Sequence, residues 1–230
     1  MRKYAIIFLL LIIAGCLYSI ARSFLNHRSL DLISEYKERG DRAFLDKNFA
    51  EAEKQYRSSL QEAEKWGADN TIVAVPLRDL ASMYNLQGRF TEAEPLYLRS
   101  LAIEEKRNDP QSLPLRAYEV AIFYVSNKKF AEAEPFFERA QAVSEKTFGP
   151  ESLEYAKLLT GRAELYRFEG RCAEAEPFYL KGLALEEKAS GAGDALVVAV
   201  EHGYAKCLRN LRRDAEADEV DARASKYETK

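Results

Sequence analysis

Thr91-Glu92-Ala93-Glu94 decides the fold of this chain because it does not stand alone. The same small-acid-small pattern returns as Ala50-Glu51-Ala52-Glu53, Ala131-Glu132-Ala133-Glu134, Ala173-Glu174-Ala175-Glu176 and Ala215-Glu216-Ala217-Asp218. With the second small residue as a ruler, Ala52, Ala93, Ala133, Ala175 and Ala217 are separated by 41, 40, 42 and 42 residues. So regular a period is the signature of a repeat array. Each unit of an array buries its core against its neighbours, and the stack presents one long surface suited to holding other molecules.

The residues around the ruler keep register with it. Nine before stand Ala43, Tyr84, Tyr124, Tyr166 and Leu208; twelve before stand the small residues Gly40, Ala81, Ala121, Ala163 and Ala205. Three before come Phe49, Phe90, Phe130, Cys172 and Asp214, and four after come Tyr56, Tyr97, Phe137, Tyr179 and Asp221. Seven after come Ser59, Ser100, Ala140, Gly182 and Ala224. Offsets of three, four and seven are helical. Polar breaks such as Asn85-Leu86-Gln87-Gly88-Arg89 divide each unit, and their glycine can end a helix in the left-handed conformation. Each unit therefore reads as two antiparallel helices, drawn close by the small residues, with the aromatics filling the gap to the next pair. Pro95, Pro135 and Pro177 fall near the start of the second helix, where a mild bend is expected instead of a break. In the fifth unit Asp214 and Asp221 stand at offsets read as core, consistent with a terminal cap or with a frayed unit.

The pattern resembles the tetratricopeptide repeat (TPR) from about Ser29 to the C-terminus. The usual unit is about 34 residues, and this one is about eight longer, roughly one more turn on each helix. With Glu-Ala-Glu-Pro-Leu-Tyr at 92–97 it is similar to the long repeats of the kinesin-light-chain class. The resemblance implies an all-α solenoid of about five helix-turn-helix repeats forming a right-handed superhelix, with first helices lining a concave groove. The repeats would run over about 33–74, 75–114, 115–155, 156–197 and 198–230. That class carries paired asparagines on the first helix; here those places hold Arg78-Asp79, Tyr118-Glu119, Thr160-Gly161 and His202-Gly203, so kinesin-type cargo recognition is not implied.

The N-terminus is a separate element, preceding the array as a hydrophobic anchor. Arg2 and Lys3 lead into an apolar run from Tyr4, then Ile13-Ala14-Gly15-Cys16, which resembles the lipobox of bacterial lipoproteins with Cys16 as the lipid attachment site. The apolar run continues to Ala21, so an uncleaved transmembrane anchor is the alternative, and an ordinary cleaved signal a third. Residues 1–21 are thus expected to be a signal or anchor, 22–28 a short tether reaching at most about 25 Å, and 29–230 the array. Both anchored readings put the repeats at a membrane, on the non-cytoplasmic and periplasmic side.

Composition excludes several classes. Thirty-four basic against 37 acidic residues give a net charge of −3 with the signs interleaved, so nucleic acid is not an expected partner. Two histidines, His27 and His202, make no metal motif, and no phosphate loop or paired-cysteine zinc spacing occurs. No catalytic residue, metal or cofactor is expected. Cys172 and Cys207 read as small core residues; a disulfide between them would be permitted outside the cytoplasm, but spacing cannot show bridging distance.

Function is sought on the groove. Residues fifteen, eleven and eight before the ruler share one stripe of the first helix, and the resemblance assigns that stripe to the concave face. The third unit is apolar at all three places, Tyr118, Ile122 and Val125. Arg78 and Asn85 flank it on one side and Arg167, Lys206 and Arg209 on the other, with Glu164 of opposite sign. The expected partner is a protein or peptide segment, with an apolar anchor over Tyr118 and acidic residues meeting the basic cluster. The alternatives are packing of Ile122 and Val125 on a neighbouring helix, a homodimer through the stripe, or an accessory subunit of an envelope enzyme or secretion complex.

Overall fold

A computed structural model describes the backbone of residues 2–228 and the side chains of residues 27–227 with those of Ser19, Ser23 and Leu25. Over that span the chain is ten α-helices and a short 3-10 turn, Thr71–Val73, with no strand among the described residues. The helices are α1 (Arg2–Leu45), α2 (Phe49–Glu64), α3 (Ala74–Leu86), α4 (Phe90–Arg107) and α5 (Leu113–Ser126), followed by α6 (Phe130–Phe148), α7 (Leu153–Phe168), α8 (Cys172–Ser190), α9 (Ala195–Asn210) and α10 (Asp214–Glu228). The all-α hairpin-repeat reading holds. The backbone divides into two compact units, one ending at Ile103 and one beginning at Glu104.

Helix α1 runs unbroken across residues 22–28, the stretch read as a tether. Among the described residues no helix is long and apolar enough to cross a membrane. The side chain of Cys16 and the apolar side chains expected to form the anchor lie outside those described.

Every ruler alanine is fully buried. So are the small residues twelve before it, from Gly40 to Ala205. The position seven after lies against the first helix: the Ser59 and Ser100 hydroxyls donate to the carbonyls of Ile33 (3.0 Å) and Ala74 (2.9 Å). A Cβ on Gly182 would come within 2.4 Å of Thr160 Cγ2. Close helix approach is thus what selects small residues at these offsets.

The turn inside each repeat follows one rule. Five before the ruler the backbone is left-handed in every unit: Lys47 (φ 57°), Gly88 (71°), Lys128 (58°), Gly170 (77°) and Arg212 (63°). The next residue's N–H then returns to the carbonyl nine before the ruler, as in Arg89 to Tyr84 (2.9 Å) and Arg171 to Tyr166 (2.8 Å). This is the closing bond of a Schellman turn. Three units pay the left-handed strain with a Cβ-bearing residue, about 1–2 kcal/mol each. Pro95, Pro135 and Pro177 each stand sixth in their helix, and α4, α6 and α8 continue through them.

One sequence expectation is corrected. The residue three before the ruler is not a core position: Phe49 and Phe90 are 38% and 39% exposed. Cys172 alone is buried there, because it is disulfide-bonded to Cys207 with their Cα atoms 5.1 Å apart. The bond left open by the sequence is present.

The acid after the ruler alanine has a role that spacing did not disclose. Glu53 accepts from Tyr84 Oη of the next repeat (2.7 Å) and from Arg89 Nη1 (2.7 Å). In the second unit Glu134 accepts from Tyr166 (2.8 Å), and Glu176 from Tyr204 (2.9 Å) and Arg213 (2.6 Å). Burial would raise the Glu53 carboxyl, but the hydrogen bonds from Arg89, Tyr84 and Arg57 outweigh it and lower it to about 2. Within each compact unit, the signature that marks the repeat in sequence is therefore also a tie between successive repeats.

Candidate functional site

Tyr118, Ile122 and Val125 lie along α5, Arg167 on α7, and Lys206 and Arg209 on α9, all in the second unit. Arg78 and Asn85 lie on α3 in the first. Within the second unit the Tyr118 ring reaches from α5 to α7, meeting Phe137 edge-on (centroids 5.7 Å, planes at 76°). It can do so because residue 161 is glycine: a Cβ there would sit 2.6 Å from Tyr118 Cε2 and 3.0 Å from Phe137 Cε1. Burial, with lesser contributions from Glu186 and Glu164, raises the Tyr118 phenol above its ordinary range. Its hydroxyl has no hydrogen-bond partner among the described residues.

Tyr118 is also one of the residues lining a cavity of about 410 Å³. Pro114, Leu115 and Tyr118 of α5, Phe148 of α6, and Glu154, Lys157 and Leu158 of α7 line it. This volume lies within the range of small-ligand sites and accommodates a large side chain. It opens toward the first turns of α5 and α7, whereas Ile122, which is exposed, and Val125 lie further along α5. Of the sequence stripe on α5, Tyr118 lines this cavity, and Ile122 and Val125 are not among its lining residues. Leu115, 51% exposed one turn before Tyr118, was the available signal.

The basic residues are largely committed. Arg167 is held by Glu164 (Nη2 to Oε2 2.6 Å, Nε to Oε2 3.0 Å) and stacks on Phe168 with its guanidinium 4.2 Å from the ring centre. Glu164 also accepts a short hydrogen bond from Tyr179, and its carboxylate leans over Gly203, where a Cβ would overlap it. Arg209 pairs with Asp221 (2.6 Å) and Asp218 (2.9 Å), and Asp221 also meets His202 Nδ1 at 2.7 Å. Lys206 is exposed with no ion pair among the described residues. Lys157, at the cavity rim, faces the buried Glu186, whose carboxyl is pushed up by burial and drawn partly back by the Thr160 hydroxyl (2.9 Å) and Lys157. No cluster of three or more metal-ligating side chains occurs among the described residues.

Antiparallel hairpins in fixed register, tied through the ruler acids, define a helical-repeat protein. A tetratricopeptide-repeat profile matches residues 33–106 and 114–188, and the chain belongs to that family. A comparison with curated proteins finds no match. Among solved structures it is similar to the kinesin light chain TPR-like repeats of Podosopora anserina, at 20% identity, covering 85% of this chain and 94% of that one, with a TM-score of 0.72. It is also similar to BtubC (BKLC) from P. vanneervenii, at 18% identity, 92% and 86% coverage and a TM-score of 0.77. MamA protein gives 16% identity, 86% and 93% coverage and 0.59. At such identities these likenesses establish the fold alone.

Proposed function

We propose that this protein is a non-catalytic, membrane-tethered interaction scaffold that holds a peptide segment of a partner protein against its first helices. The observation that carries the reading is the 410 Å³, mostly apolar cavity lined by Leu115, Tyr118, Phe148 and Leu158. A bulky apolar side chain of the partner fills the cavity beside Tyr118, and the segment continues over Ile122 and Val125. Lys206 is the cation open to an acidic residue, while Arg167 and Arg209 contribute shape and stacking surface from within their ion pairs. Arg78 and Asn85 present the same stripe in the first unit.

The test is site-specific photocrosslinking in native membranes. A photoreactive residue at Leu115 (51% exposed, on a first helix) should yield a discrete product that one at Leu180 (53% exposed, on a second helix) does not. Tyr118→Ala should reduce that product by about tenfold or more, with helicity unchanged. Equal labelling at both sites would reject the groove, and a product of twice the chain mass would identify a second copy as the occupant.

The anchor and its compartment belong to the same proposal: the repeats face the non-cytoplasmic, periplasmic side, attached through residues 1–21. What supports this is the basic-apolar-Cys16 order of the N-terminus and the Cys172–Cys207 bond, of a kind that persists in oxidising compartments. Cys16→Ala should abolish processing and the mass added by lipid if the segment is a lipoprotein signal. An unchanged mass would leave the transmembrane anchor.

A further inference from the structure

Cys172 opens α8 and Cys207 lies in the last turns of α9, so their bond ties the second helix of the fourth repeat to the first helix of the fifth across 35 residues. Both cysteines are buried, Cys207 fully. In the α9–α10 pair, α9 supplies the large buried side chains, whereas the buried hydrophobics of α10 are Ala217 and Ala224, and Asp221 stands where earlier repeats carry a buried aromatic. Besides the disulfide, α9 packs on α8 through Tyr179 and Leu183 against Val200, Tyr204 and Leu208, and Glu176 accepts from Tyr204 (2.9 Å) and Arg213 (2.6 Å). The amide of Asn210 covers the bridge, donating to Cys172 Sγ at 3.6 Å.

We infer that the fifth repeat is a redox latch: as a dithiol it is held by packing and polar ties alone, and oxidation locks it, so its completion is conditional on the compartment the chain reaches. In the locking step the two thiols lose two protons and two electrons to a disulfide-donating oxidant, which leaves as a dithiol, and the Sγ–Sγ bond forms. A dithiol reductant reverses the exchange. Because both sulfurs are enclosed, a thiolate can attack only after α9 swings away, and the closed form resists reduction. The unlocked state keeps the fourth repeat and loses fixed placement of α9 with Lys206 and Arg209. This inference stands whether or not the groove binds a peptide.

The test uses the full chain in mild detergent, oxidised with glutathione disulfide or reduced with a phosphine. Denatured without reductant, the oxidised chain should show at most one thiol, that of Cys16, against as many as three after reduction. Hydrogen exchange of residues 195–227 should be faster in the reduced form by roughly a hundredfold, with residues 113–168 unchanged. Cys172→Ala with Cys207→Ala should exchange like the reduced chain and ignore reductant. Two or more thiols in the oxidised chain, or equal exchange of α9 and α10 in both redox forms, would overturn the latch.

Discussion

Phe137→Ala is expected to lower the free energy of unfolding by about 3–5 kcal/mol. Phe137 is buried in α6, four residues after its ruler alanine, and its ring faces both Tyr118 and the bare backbone at Gly161. That geometry places the loss in the upper part of the range, because the opposing wall is a glycine with no side chain to fall into the vacated space. A hairpin repeat also has no second core on which to fall back. Chemical denaturation followed by circular dichroism should show a lower midpoint. Phe90→Ala, at an offset that is 39% exposed, should cost less than about 1.5 kcal/mol. Equal effects from the two changes would mean that the offsets do not separate core from surface. The Phe137 change should also release the Tyr118 ring, so crosslinking at Leu115 should fall along with stability.

What the sequence made legible was register, and what it hid was anything set by conformation or by a partner helix. Ala52, Ala93, Ala133, Ala175 and Ala217 announce themselves because close helix approach tolerates nothing larger. The left-handed residue of each turn is visible at Gly88 and Gly170 but not at Lys47, Lys128 and Arg212, where the Schellman bond imposes the conformation on residues whose chemistry does not ask for it. Phe49 and Phe90 looked like core because they are aromatic and in phase, yet as the first residues of α2 and α4 they stay more than a third exposed. The disulfide escaped for the opposite reason: residue 172 and residue 207 meet only when the fourth and fifth repeats stack.

The site divides in the same way. Helical phase was enough to put Tyr118, Ile122 and Val125 on one stripe of α5. It could not reveal Phe148, which arrives from the end of another helix, nor show that Glu164 and Asp221 occupy the cations counted as open. Glu164, of opposite sign to its neighbours in the stripe, proves to be the residue that orients Arg167 and accepts from Tyr179 over Gly203.

Arg223→Ala should destabilise the terminal hairpin by about 2 kcal/mol at about pH 8, and by clearly less at about pH 5. Arg223 of α10 bridges two carboxylates, Glu201 Oε1 at 2.5 Å and Glu187 Oε1 at 3.3 Å. Glu201 is wholly buried in α9 and its Oε2 has no hydrogen-bond partner among the described residues. Removing one member of a fully buried pair costs about 3–5 kcal/mol, discounted here because Arg223 is itself half-exposed and screened. The sign of the pH dependence follows from the carboxyl. Burial raises Glu201 above its ordinary value, Glu187 adds to the rise, and Arg223 with a smaller pull from His202 opposes it. A folded-state value above the unfolded one means that folding favours the protonated form. The stability it contributes is complete below the unfolded value and is lost as pH rises through the folded value. Without Arg223 the folded value climbs further and the loss extends to higher pH, which is why the deficit widens between the two conditions. Glu201→Gln in the Arg223→Ala background should restore most of the stability and flatten the pH profile, because it removes the ionisation rather than the packing. A pH-independent deficit in the single variant would show that Arg223 holds α10 through its aliphatic stem and not through the charge it brings to Glu201.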